Sequence, residues 1–170
     1  MRIAPLTRRV LLLLACSCAL LAGCGFHLQG RLPLPPSLAR IYIDAPEKQS
    51  DFVASLRAGL LAAGAVLVDQ APAAGSGTAR IRVLRDEVQE RVLTVSARNI
   101  PTDYELTQEL RVAVDGPDGK ELMPSEDLSL TRVYSFDERK LLAKEREKDL
   151  LLEALARDMA SVVLRRLAAL

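Results

Sequence analysis

Thiols, imidazoles and activated hydroxyls are the side chains that most often do chemistry, and this chain has few of them. Its three cysteines, Cys16, Cys18 and Cys24, all lie in the first 24 residues, and its single histidine is His27. A Cys-x-Cys pair can bind metal, a lone thiol can act as a nucleophile, and a histidine can serve as general base or ligand. Metal sites need several ligands, so an isolated His27 reads as a hydrogen-bonding or packing residue. Gly75-Ser76-Gly77 has no strand running directly into it and no helix directly out of it, so it is a flexible loop and not a nucleophile elbow. No GxSxG, Walker loop, dinucleotide fingerprint or HExxH occurs. The 22 acidic residues leave a carboxylate-only mechanism conceivable, but the inventory favours binding or scaffolding. No catalytic residue, metal ligand or cofactor is assigned.

The position of the cysteines gives them another meaning. Residues 1–9 carry Arg2, Arg8 and Arg9, residues 10–20 (VLLLLACSCAL) form an apolar run, and Leu21-Ala22-Gly23-Cys24 closes it. That is the layout of a secretory signal peptide, and the apolar run is too short to span a bilayer. LAGC is similar to the bacterial lipobox, whose Cys thiol receives diacylglycerol before the peptide is cut ahead of it and the new amine is acylated. Small residues at Ala22 and Gly23 suit an enzyme that must reach the backbone there. On this reading residues 1–23 are a lipoprotein signal peptide, and Cys16 and Cys18 leave with it. Cys24 is the lipidation site, and no thiol remains for disulfides or catalysis. Gly25, where Asp commonly holds bacterial lipoproteins at the inner membrane, points by resemblance to the outer membrane.

The mature chain would then hold 147 residues, with 20 basic against 22 acidic side chains, a formal charge of −2. That balance excludes the broad positive field of a nucleic-acid binder. A hydrophobic content of 49% excludes wholesale disorder, and 4% aromatics without Trp argue against a stacking platform.

Residues 24–37, with three Pro after position 30, read as a lipidated tether, on which Phe26 and Leu28 are available to dock. A domain follows over residues 38–170. Ile41 and Ile43 alternate in a short strand that Pro46 stops. Ser50 or Asp51 can cap a helix over residues 52–63, with Phe52, Leu56, Leu60 and Ala63 on one face and Gly64 beyond its end. Residues 65–68 read as a short extended piece beside that helix. Three longer strands come next, over residues 79–95, 104–114 and 122–136. In the first of them Ile81 and Val83 are odd-numbered but Val88 and Val92 even, which needs a bulge or a twist and predicts a break near residues 85–87. In the second, Tyr104, Leu106, Leu110, Val112 and Val114 share one parity and Glu105, Thr107, Glu109 and Arg111 the other. Asp115-Gly116-Pro117-Asp118-Gly119 is a hairpin turn, and Pro124 marks an irregular or edge segment. The last helix is expected from Asp137 or Glu138 to about Leu167. Leu141, Leu151, Leu152, Leu155, Met159, Val162, Val163 and Leu167 form its stripe, and the charged run 144–149 (KEREKD) is a solvated face. The order predicts an α+β two-layer sandwich, with about four strands in a largely antiparallel or mixed sheet packed on two helices.

LAGCGFHLQG at the acylation site, the proline tether, RIYIDAP, and FDERKLLAKEREKDLLLEALARDMASVVLRRL together resemble the LptE family of lipopolysaccharide-assembly lipoproteins, across essentially the whole mature chain. The resemblance implies two helices on a four-stranded sheet and a lipid anchor in the outer membrane of a Gram-negative cell, facing the periplasm. It further implies a place as a plug inside the lumen of the LptD β-barrel, helping that barrel fold and binding lipopolysaccharide during its insertion into the outer leaflet. Two cations match family residues implicated in lipopolysaccharide binding: Arg98, between the second and third strands, and Lys144, near the start of the last helix. Ala97 departs from the family, where an aromatic can precede the Arg. Arg91, Arg139 and Lys140 are neighbouring cations with no assigned role. The alternative is a periplasmic scaffold lipoprotein of another envelope complex that binds no lipid.

Overall fold

The computed structural model describes residues 33–73, 75–135 and 141–170, with side chains in the last stretch from residue 146 onward. Cys24, His27, Phe26 and Leu28, Phe136, and the expected start of the last helix at Asp137 or Glu138 lie outside the described residues. After a 3-10 turn over Pro36–Leu38, whose Leu38 is fully buried, come β1 (Arg40–Asp44), α1 (Asp51–Ala62), β2 (Val66–Val68), β3 (Ala79–Val95), β4 (Pro101–Asp115), β5 (Glu121–Ser135) and α2 (Leu141–Ala168).

The sheet has five strands, not four, in the order β2-β1-β3-β4-β5. The additional strand is the segment expected merely to lie beside the first helix. Arg40 aligns with Val66 and Tyr42 with Val68 in a parallel pair, and the Val66 amide donates to the Ala39 carbonyl at 2.8 Å. Three residues are too few for alternation to show. The pairing comes from α1, which carries the chain back to start β2 level with β1. β1 is also parallel to β3, while β3, β4 and β5 form an antiparallel meander.

Both helices lie on one face. Phe52, Val53, Leu56 and Leu60 of α1 and Ala156, Met159, Val163 and Leu167 of α2 pack on Ile41, Ile81, Val83, Leu110, Val112 and Val114. A smaller cluster joins Leu155 to Leu106 and Tyr134, flanked by Leu151, Leu152, Tyr104 and Leu130. The parity change in β3 resolves as a bulge at Leu84, one residue before the expected stretch: Val83 aligns with Val112, but Arg85 with Arg111. The bulge turns Val88 and Val92 to the helix side, yet each stays 47% exposed because the helices leave this part of β3 uncovered. On β5, Pro124 and Ser125 lie between Met123, opposite Val114, and Glu126, opposite Val112, so the proline sits in a bulge on an edge strand.

Ser50 starts α1. Its hydroxyl oxygen accepts from the Val53 amide at 3.2 Å, and the same hydroxyl donates to Asp86 at 2.7 Å. Gln108, otherwise buried among apolar neighbours, donates to the other oxygen of Asp86 at 2.8 Å. Ser50→Ala removes a helix cap and one donor to Asp86. It is expected to cost about 1–2 kcal/mol, read as a lower denaturation midpoint at unchanged slope.

Candidate functional site

The face of the sheet away from the helices is a lattice of opposite charges. Arg85 stands directly across from Arg111 and Glu87 from Glu109, like-charge oppositions that destabilise a bare sheet. They are relieved by opposite charges, one placed diagonally and one directly across on β5. Arg85 meets Glu109 at 3.0 Å, and Arg111 grips Asp127 with two bonds of 2.7 and 2.9 Å. Arg82 meets Asp115 at 2.9 Å and Arg91 meets Glu105 at 2.6 Å. Hydrogen bonding and the charge of Arg111 hold the Asp127 carboxyl below the usual range. Exposed pairs of this kind contribute at most about 1 kcal/mol each, so the lattice adds little to stability.

β3, β4 and β5 run on past the core to a second feature, the turn that joins β3 to β4. There the Ser96 amide donates to the Ile100 carbonyl at 2.7 Å and the Asn99 amide to the Ser96 carbonyl at 2.9 Å, with Asn99 at φ 59°. Asparagine tolerates this left-handed geometry better than most residues. Arg98 sits at the apex, exposed, and makes no ion pair among the described residues. Leu93, Val95 and Val133 are exposed close behind it. Below the turn, the Asp103 carboxylate accepts from the hydroxyls of Thr94 and Ser135, which lower its pKa.

α2 brings the other cation to this end. Its C-terminal half packs with α1, whereas Leu151 and Leu152 pack beside Tyr104 and Leu130. Still nearer the helix start, Lys148 donates to Glu90 of β3. Lys144 is one turn earlier on the same helix, so its backbone lies at the end of the body where the β3–β4 turn projects. Arg91 is engaged by Glu105, while Arg139 and Lys140 lie outside the described residues.

The clamp that positions α2 was not visible in the sequence, where Lys148 belonged to a run read as wholly solvated. Glu90 accepts from both Lys148 and the Tyr134 hydroxyl, and Tyr134 stacks on Tyr104 at 5.4 Å between centroids. Partial burial alone would raise the Glu90 pKa. The bonds from Lys148 and Tyr134, with the Lys148 charge, outweigh it and hold the carboxyl below its ordinary 4.5. Burial and the adjacent Glu90 push the Tyr134 hydroxyl up. A depressed carboxyl stabilises the fold above its unfolded pKa, and that contribution is lost as pH falls through the folded value. Protection of the α2 amides around residues 146–152 is therefore expected to decline below about pH 4. Glu90→Gln should produce the same loosening at neutral pH, with the core amides unchanged, measured by hydrogen exchange.

A cleft of about 350 Å³ lies where Ser50, Asp51, Asp86 and Gln108 meet Val88, Leu152 and Ala156. Asp86 is already bonded on both oxygens, by the Ser50 hydroxyl that caps α1 and by Gln108, and no imidazole, amine or thiol lines the cleft. Among the described residues no cluster of three or more His, Cys, Asp or Glu could hold a metal, and no helix is long and apolar enough to cross a membrane.

Fold and surface together define a small α+β domain with an ion-paired sheet face and an exposed arginine, Arg98, on its β3–β4 turn. The family model for LptE, described as lipopolysaccharide-assembly, matches residues 38–167, and the chain belongs to that family. The LPS-assembly lipoprotein LptE of Pectobacterium atrosepticum is 26% identical over 161 residues, which cover 92% of this chain and 83% of that one. The protein of the same name from Yersinia enterocolitica is 22% identical, over 94% of this chain and 75% of that one. Among solved structures, lipoprotein B from Nitrosomonas europaea superposes with a TM-score of 0.68 at 24% identity, covering 85% of this chain and 91% of that one. The rare lipoprotein B from Shewanella oneidensis gives 0.65 at 22% identity, with coverages of 76% and 94%. These likenesses bear out the α+β sandwich, with its sheet corrected to five strands.

Proposed function

We propose that this chain is an outer-membrane lipoprotein, held by acyl groups on Cys24, that plugs and helps assemble an LptD-like barrel and binds lipopolysaccharide on its way to the outer leaflet. The role is non-enzymatic and depends on shape and surface charge. The observation that carries it is the family match over residues 38–167, nearly the whole folded body. The ion-paired sheet face supports the barrel contact, because the lumen of an outer-membrane barrel is polar and a plug must be polar where it meets that wall. The tip supports ligand binding, since lipopolysaccharide offers phosphates and carboxylates to a cation and acyl chains to the adjoining Leu93, Val95 and Val133.

Purification of the tagged chain from detergent-solubilised outer membranes should recover a large β-barrel protein in equal amount. Recovery of the chain alone, from cells that contain the barrel, would overturn the plug reading.

A further inference from the structure

β1 pairs with β3 only from Ala79 to Arg82, after which the chain leaves the sheet towards α1. From Val83 to Val95 the side of β3 away from β4 therefore has no strand partner among the described residues. Among the described residues no backbone group outside β4 bonds to this stretch beyond its turn, which makes it a template for another strand. This edge lacks the usual protection. It has no proline and no lysine, and five of the ten large exposed hydrophobics among the described residues fall on it: Leu84, Val88, Val92, Leu93 and Val95. The opposite edge, β5, is broken by the bulge at Pro124 and Ser125 and has only Val133 in that class.

Charge pattern selects the occupant. Between the bulges at Leu84 and Leu93 the strand reads Arg85-Asp86-Glu87-Val88-Gln89-Glu90-Arg91-Val92. An antiparallel copy can be set with its two-fold axis on any residue of that run. An axis on Arg85, Asp86, Glu87, Glu90 or Arg91 opposes that charge to itself, an axis on Val88 sets Arg85 against Arg91 and Asp86 against Glu90, and an axis on Val92 brings no opposite charges together. With the axis on Gln89, Glu87 faces Arg91 of the other copy twice, Val88 faces Glu90, Asp86 faces Val92, and no like charges meet. Glu87 has no cation of its own among the described residues, and Arg91 is 71% exposed beyond its contact with Glu105. Opposite charges across a strand pair stabilise it and like charges oppose it.

We infer that two copies of this chain associate through the free edge of β3, antiparallel, with the two-fold axis at Gln89. The paired form and a single-copy plug are mutually exclusive, because pairing blocks one side of the body that a barrel would enclose.

The test uses full-length lipidated protein, purified alone in detergent at micromolar concentration and mildly oxidised. With Gln89→Cys, opposed Cβ atoms about 4.5–5.5 Å apart should close a disulfide and move most of the chain to twice its mass. Thr107→Cys, half-buried on the same face one strand further from the edge, should give at most a tenth of that yield. Adding Glu87→Arg to Gln89→Cys sets a second guanidinium against Arg91 of the other copy and should cut the yield at least tenfold. No dimer with Gln89→Cys, equal yields at the two positions, or a yield indifferent to Glu87→Arg would each overturn the inference. Circular dichroism of each variant confirms that the fold is intact.

Discussion

Cys24→Ala, made in a chain that carries an ordinary secretory signal in place of residues 1–23, is expected to leave vesicles entirely while keeping its fold. Wild-type protein mixed with lipid vesicles should float with them in a density gradient, and the variant should stay at the bottom. The size of the effect follows from acyl-chain transfer at about 0.8 kcal/mol per methylene. One myristoyl chain binds only marginally, with a constant near 10⁴ M⁻¹, whereas two or more hold a protein for as long as the vesicle lasts. Among the described residues no helix is long and apolar enough to cross a membrane. The melting transition should not move, because among the described residues the buried core begins at Leu38, fourteen residues beyond Cys24. A variant that still floats would place the membrane contact in the folded domain.

The sheet was legible where alternation ran long enough to average over exceptions. β4 supplies five apolar residues of one parity, and four of them, Leu106, Leu110, Val112 and Val114, are almost wholly buried. Gln108 shares that parity and is buried too, because Asp86 gives its amide a partner that no spacing rule reveals. β3 announced its bulge as a change of phase. β2 stayed hidden because three residues carry no period and its partner strand lies more than twenty residues earlier in the chain.

The candidate site divides in the same way. Arg98 was placeable because Ser96, Asn99 and Pro101 mark a turn between two strands. The sheet-face lattice was readable only in part. Alternating charge showed which side of β4 faces water, but setting Asp127 directly across from Arg111 depends on a strand register that the bulge at Pro124 shifts. The Glu90–Lys148 clamp joins residues 58 apart, across a helix whose charged first turns looked unattached. Long-range ion pairs of this kind leave no trace in local pattern, because only the packing of α2 on Tyr104 and Leu130 brings the two ends together.

Arg98→Asp with Lys144→Asp is expected to abolish measurable lipopolysaccharide binding while barrel co-purification persists. A hydrogen bond to a charged group is worth about 1.5–3 kcal/mol, so each lost cation should weaken binding by roughly ten- to a hundredfold. Replacing it with Asp adds repulsion against the same phosphate. Binding of fluorescent lipopolysaccharide to purified protein reads the loss directly, and the single variants should each show part of it. The cost to the fold should be small, since Arg98 is exposed and has no ion pair to lose among the described residues. Salt gives an independent reading. Residual binding in the double variant should no longer weaken between low and physiological ionic strength, because the screened attraction has been removed. Arg91→Gln is the matched control, since its charge is already taken by Glu105 and its loss should change affinity by less than threefold. Unchanged affinity in the double variant would detach lipopolysaccharide recognition from this tip. It would leave the ion-paired sheet face, and the protein contact proposed for it, as the surface on which the domain's function rests.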